Sequence, residues 1–422
     1  MSLALILVFA ALLVVVIPVA HALVIASGVA LLWDGNLPLL LVAQQMFAQT
    51  QSFPMLALPF FILAGTLIME GKLGEELLRF AGELMQRLRG GTLSTTVVGS
   101  VVFGGVSGSA VANASALGSV LIPWQKRQGY PAGPCAANNA TSATIDILIP
   151  PSIPMILYAV VSGVSIGDLF MAGILPGILL AAGFVGVCWW QARRFSVGLT
   201  ADLPPLDMRK LVRLAALAFP ALILPVLILL ALRFGLATPT EIAVMAVLYA
   251  IVASLLIYRD MSWVRFHKAM TDSGIATGIV MMVIMGSAAA SWILTYDQVP
   301  QRFAEWVFTT LQEPWLVILA MIVIMLAIGG PLDLSPAILL LTPIFVPLAE
   351  QIGLDPLQLG LMMVINLGIG LYTPPVGTTL FISSTIAGSS MTETIRELWP
   401  FFFVALALLF AVSYVPALTI RF

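Results

Sequence analysis

The chain has 422 residues, 60% of them hydrophobic and only 9% charged, with a formal net charge of −2 and a mean hydropathy of +1.08. Soluble globular domains carry about 25% charged residues, so this composition excludes a water-soluble protein and points to lipid as the solvent. No basic block suggests nucleic acid, and neither Cys135 and Cys188 nor His21 and His267 have neighbours at the spacing a metal site or a nucleophile needs.

From the N-terminus, residues 2–32 are apolar and interrupted by Pro18, which predicts one tilted helix or two short ones bent at the proline. The run has no basic start and reads as membrane helix rather than a cleavable signal. Residues 33–53 lack Lys and Arg and read as a loop, and 54–70 as the next span. Over 72–89 the pattern changes: Leu73, Leu77, Leu78, Phe80, Ala81, Leu84 and Leu88 share a broad face, with Lys72, Glu75, Glu76, Arg79, Glu83 and Arg87 largely elsewhere. That pattern predicts a helix lying in the interface. Further spans are expected at 134–162, 169–191, 214–232, 239–257, 272–296, 357–386 and 397–417. Two stretches, 92–123 and 314–349, are broken near their middles by GGVSGS at 104–109 and GGPLDLSP at 329–336. Each reads as a re-entrant hairpin, whose non-helical tip must be shielded by protein or a cavity.

The broken stretches open matching units. From Gly104-Gly105 to Pro150-Pro151 is 46 residues, and from Gly329-Gly330 to Pro374-Pro375 is 45. A proline pair inside an apolar span opens the helix. Paired broken segments are the sequence sign of an inverted-repeat transporter. The expected fold is therefore an all-α polytopic membrane protein with two re-entrant hairpins and two discontinuous helices. The first repeat is placed at 1–213 (hairpin 92–123, broken helix 134–162) and the second at 214–422 (hairpin 314–349, broken helix 357–386). Arg87, Arg89, Lys126 and Arg127 flank the first hairpin, whereas Glu313, Glu350 and Asp355 flank the second. With basic residues inside, the first opens to the cytoplasm and the second outward. The basic loops 192–213 and 258–271 agree.

Binding is expected where helices break, because free backbone N–H groups favour a carboxylate and free carbonyls favour a dehydrated cation. The first set is Ser107, Gly108, Ser109 and Asn113, facing Pro150, Pro151 and Ser152. The second is Gly329, Gly330, Asp333 and Ser335, facing Thr373, Pro374, Pro375, Gly377 and Thr378. Asp146, deep in an apolar run behind the polar stretch Asn138 to Thr144, must face a cavity or a polar partner. Its role is open between binding and an internal network. Glu241, after Thr238-Pro239-Thr240, reads as a helix cap.

These motifs carry a resemblance. LALPFFILAG at 56–65, GGVSGSAVANASALGSVLIP at 104–123, IPPSIPMILYA at 149–159, VSIGDLFMAGILPG at 164–177, ATPTEIAVMAVLYA at 237–250 and INLGIGLYTPPVGTTLF at 365–381 resemble the large membrane subunit of tripartite ATP-independent periplasmic (TRAP) transporters, the DctM-like family. The resemblance covers essentially the whole chain. It implies an elevator-type, sodium-driven importer of small organic acids (C4-dicarboxylates, keto acids or sugar acids) in the cytoplasmic membrane. It also implies a small four-helix DctQ-like membrane subunit and a DctP-like periplasmic substrate-binding protein as partners. Sodium, the coupling ion, is expected near Ser107, Ser109, Gly330 and Thr373, with no other cofactor. The sequence departs from the family pattern at Ala110, where the tip usually has a hydroxyl, at Asn113, where an acid is usual, and at Asp146, where a small residue is usual.

No nucleotide-binding G-x-x-x-x-G-K-[ST] loop is present, and no nucleophile–base pair or metal cluster suggests an enzyme. The alternative reading is a stand-alone sodium/anion symporter of similar fold that needs no binding protein.

Overall fold

The computed structural model describes residues 1–85, 90–195, 207–374 and 376–419. These residues form an all-α bundle. Helices α1 (Ser2–Val14) and α2 (Val19–Asp34) are split before Pro18, so the N-terminal run is two short helices. Within the expected loop 33–53 lies α3 (Leu40–Thr50), bent by 67° from the segment that carries α4 (Ala57–Met69). Next comes α5 (Lys72–Met85), which packs on its neighbours through Leu73, Leu77 and Ala81. Its charges are less segregated than expected: Glu76 and Glu83 are also buried, paired with Arg79 at 2.9 Å and Lys210 at 2.7 Å. Leu88, Arg87 and Arg89 lie outside the described residues.

The first hairpin comprises α6 (Gly91–Ser107) and α7 (Ala110–Arg127), followed by the broken pair α8 (Ala132–Ser142) and α9 (Ile153–Ser162). Then come α10 (Ile166–Phe195), α11 (Met208–Arg233), α12 (Pro239–Val252) and α13 (Trp263–Tyr296). Arg209, Lys210 and Arg213 begin α11, and Arg265 and Lys268 begin α13, so these basic residues are helical rather than in loops. Asp207 accepts from the N–H groups of Arg209 and Lys210, and Ser262 from that of Arg265, which fixes both starts by N-capping. The sequence expectation also missed α14 (Val299–Leu311), an amphipathic helix. The second hairpin is α15 (Pro314–Gly329) and α16 (Leu334–Gln351), followed by α17 (Pro356–Gly370), α18 (Thr378–Ala387) and α19 (Met391–Tyr414).

Among the described residues, six helices are long and apolar enough to cross a membrane, or seven if the bent pair around residues 50–53 is one span. The bundle has two chemically distinct ends. At one end Lys210 meets Glu83, Lys268 meets Glu70 and Arg194 meets Glu397, at 2.7, 2.7 and 2.8 Å, and Lys126 Nζ donates to the Ala387 carbonyl at 2.7 Å. At the other, Tyr414 donates to the Trp315 carbonyl at 2.9 Å, Tyr158 to that of Pro356 at 2.5 Å, and Thr240 to that of Phe53 at 3.2 Å.

Candidate transport site

The first hairpin is closed by side chains along its length. Ser100 donates to Asn113 Oδ1 at 3.2 Å, and near the open end Gln125 Nε2 donates to the Thr92 carbonyl and the Thr96 hydroxyl at 3.0 and 2.7 Å. The tip is a two-residue turn. Gly108 sits at φ +64°, and a Cβ there would lie 2.4 Å from the Pro151 carbonyl oxygen, so both the backbone and the space demand glycine. The Gly108 N–H donates to Asp146 Oδ1 at 2.9 Å, and its carbonyl accepts from Ile153 N at 3.4 Å. Ser109 caps α7 through Ala112 N at 3.5 Å. Opposite, Ser152 caps α9 through Met155 N at 3.4 Å and donates to the Ile147 carbonyl at 2.6 Å. The chain is thus open from Asp146 through Pro150 and Pro151 to Ser152.

Asp146 is completely buried. The Asn113 amide and Ser107 hydroxyl face its carboxylate without reaching good hydrogen-bond geometry, so Asp146 Oδ2 and Asn113 Nδ2 stay unpaired. Gly104 and Gly105, the double glycine of the first repeat unit, lie inside α6 rather than at the tip, which corrects the expected break at 104–109.

The second tip is longer. Gly329 ends α15; Gly330, with helical φ −67° and ψ −53°, leads through Pro331 and Leu332 to Asp333 at the start of α16. Asp333 holds the N-cap position but its side chain makes no capping bond, and both it and Pro331 are exposed. A Cβ on Gly370 would lie 2.3 Å from the Gly329 carbonyl oxygen, so the end of α15 is pressed backbone to backbone on the end of α17. In the second break, Thr373 donates to the Ile369 carbonyl at 2.7 Å, while the N–H and hydroxyl of Thr379 both donate to that of Leu371 at 3.0 and 2.9 Å. Gly377 turns the chain at φ +51° into Thr378. The Thr378 hydroxyl and the fully buried Tyr372 hydroxyl have no partner. Pro374 is exposed, and Pro375 lies outside the described residues.

The two halves meet around a cavity of about 290 Å³. It is lined by Gly108, Ser109, Ala110 and Val111 of the first tip, Ile147, Ile153 and Pro154 of the first break, and Asp333, Leu334 and Ser335 of the second tip, with Leu371 and Ala276, Ile279 and Val280 of α13. Of the expected site residues, Gly108, Ser109, Asp333 and Ser335 reach it. Ser107, Asn113, Asp146, Pro150, Pro151 and Ser152 instead surround the first tip. Gly329, Gly330, Thr373, Pro374, Gly377 and Thr378 belong to the second tip and break without lining the cavity. The apolar liners Ile147, Ile153 and Leu371 and all of the α13 contribution were missed, because nothing in an apolar run marks which face borders a cavity. The starts of α7, α9 and α16 converge here, so the cavity is ringed by the electropositive ends of three helices although no Lys or Arg lines it. Among the described residues no three His, Cys, Asp or Glu side chains are grouped to hold a metal ion.

Other ties cross between halves. Asn139 Nδ2 donates to the Ser383 hydroxyl of α18 at 2.9 Å, and Gly118 of α7 lies against that same Asn139 amide.

Residues 6–418 match the family described as "Tripartite ATP-independent periplasmic transporter, DctM component". An uncharacterised protein of Sinorhizobium fredii, y4mL, is 64% identical over 420 residues, covering 100% of each chain. The C4-dicarboxylate TRAP transporter large permease protein DctM of Pseudomonas aeruginosa is 36% identical over 379 residues, 90% of this chain and 88% of that one. The Alcanivorax borkumensis YdaH transporter structure shares the fold, with a TM-score of 0.60 and 15% identity over 90% of this chain and 86% of that chain. The chain belongs to the DctM family: it is a multi-pass inner-membrane permease subunit of the TRAP transporters and not an enzyme.

Proposed function

We propose that this permease imports a small organic acid together with sodium, through an elevator-like movement of its two hairpins and two broken helices. The observation that carries the reading is the shared cavity, which draws lining from both tips and both breaks. Its size, about 290 Å³, suits a small solute. Three helix N-termini favour a carboxylate there, while the carboxylate of Asp333 opposes one. A cation bound with the solute resolves that conflict, which is the physical basis for coupling: each ligand binds better when the other is present. Sodium is assigned to the neighbourhoods of Ser107 and Ser109 and of Gly330 and Thr373, where the Thr378 and Tyr372 hydroxyls are buried and unpaired.

The two halves, 1–213 and 214–422, act as inverted repeats in this reading. Each places a short amphipathic helix before its hairpin, α5 in one and α14 in the other. The first hairpin opens at the basic end of the bundle and the second at the opposite end, supporting a cytoplasmic and an external mouth respectively. A DctQ-like subunit and a DctP-like periplasmic binding protein complete the transporter, the latter delivering C4-dicarboxylates, keto acids or sugar acids.

Proteoliposomes with both partners supplied test the proposal. Uptake of a labelled panel of these acids should require an inward sodium gradient and the binding protein, and Ser109→Ala should cut it by about tenfold through loss of a cap or ligand worth about 1 kcal/mol or more. Uptake that persists without the binding protein would instead favour the stand-alone symporter.

A further inference from the structure

We propose that Asp146 is a positioning residue that locks the first hairpin tip onto the first broken helix, leaving the second hairpin as the moving gate of the cavity. The transport reading above gives this its meaning. Both backbone polar groups of the turn residue Gly108 are taken by the broken helix: its N–H by Asp146 Oδ1 at 2.9 Å and its carbonyl by Ile153 N at 3.4 Å. The first bond is buried, so withdrawing the tip would leave the Gly108 N–H and a carboxyl oxygen without partners away from water. One turn earlier, a Cβ on Gly104 would lie 2.9 Å from Asp146 Cα, so the arm rests on the same segment.

The second tip has no such tie. Among the described residues, no hydrogen bond joins 330–333 to the second broken helix; the bonds from Leu332 N to the Ile328 carbonyl and from Ala337 N to that of Asp333 stay within the hairpin. Its approach at Gly329 and Gly370 is backbone against backbone, with the apolar Leu367 side chain also against Gly329 and, among the described residues, no hydrogen bond across the contact. Pro331 and Asp333 are exposed. Displacing this tip breaks no bond between segments, whereas displacing the first breaks two.

Hydrogen exchange of the full-length chain in lipid nanodiscs, compared in sodium chloride and choline chloride, tests the lock. The tip around residues 104–112 should exchange slowly in both salts, because the two Gly108 bonds hold it even when the neighbouring sodium site is empty, while that around 328–337 should slow by about threefold or more in sodium. Asp146→Ala should speed exchange at the first tip by about tenfold or more and leave Ile166–Phe195 unchanged. Asp146→Asn keeps an acceptor for Gly108 and should restore the native rate. The proposal is overturned if sodium alters the first tip as much as the second, if Asp146→Ala leaves the first tip unchanged, or if it speeds exchange throughout the chain.

Uptake by the complete transporter separates the two readings: absence of sodium-dependent uptake by the unsubstituted protein counts against the transport reading, and the exchange pattern still decides the lock.

Discussion

The first hairpin turns in two residues, 108–109, and the second in four, 330–333. The first tip is buried at Gly108 and bonded at both its N–H and its carbonyl; the second leaves Pro331 and Asp333 exposed, Asp333 toward the shared cavity. Both arms are nonetheless tied to their broken helices by an asparagine. Asn138 Nδ2 donates to the Leu93 carbonyl at 2.9 Å, and Asn366 Nδ2 to that of Ile322 at 3.0 Å. The contrast is sharpest at the tips. If the proposed lock holds, the two tips present one rigid and one yielding wall to the same cavity.

The largest expected effect comes from exchanging glycine for alanine at each tip. Gly108→Ala puts a side chain at φ +64° and 2.4 Å from the Pro151 carbonyl, and should cost about 2–4 kcal/mol in denaturation of the purified protein. Gly330→Ala fits a helical backbone and should stay within about 1 kcal/mol. Equal losses would erase the contrast. A second comparison concerns the arm rather than the tip. Gly370→Ala should cost about 1–3 kcal/mol, because its Cβ would meet the Gly329 carbonyl at 2.3 Å. A neutral result in a thermal-unfolding series would mean that the second arm yields as readily as its tip. The smallest effect calibrates the others. Thr238 and Glu241 form a capping box at the start of α12, as the sequence suggested. Glu241→Ala should cost about 1 kcal/mol and leave sodium-dependent uptake intact; a large uptake loss would place function outside the hairpins.

Much of the layout was legible in the sequence because a bilayer imposes a simple rule on the backbone. Polar groups must be bonded within helices, so glycine and proline in an apolar run announce every place where that fails. Hairpins at 92–123 and 314–349 and breaks near Pro150 and Pro374 emerge within a few residues of their structural positions. The short amphipathic helix α14 was not seen, although the repeat itself implies a partner for α5. The double glycines misled the register, since Gly104-Gly105 serve packing inside α6 against Asp146 and Pro225, whereas Gly329-Gly330 end a helix.

What the sequence determined by itself was membrane residence, the order of broken elements and the family, because these depend on composition and local backbone chemistry. Only the tertiary structure decided that Asp146 faces the first tip, that Asp333 and not Thr373 reaches the cavity, and that the first tip is bonded to its broken helix while, among the described residues, the second is not. Those outcomes rest on which surfaces meet across gaps of 38 residues between Gly108 and Asp146, or across the two halves. Local patterning leaves such meetings open, because a buried polar residue announces that it needs a partner without naming it.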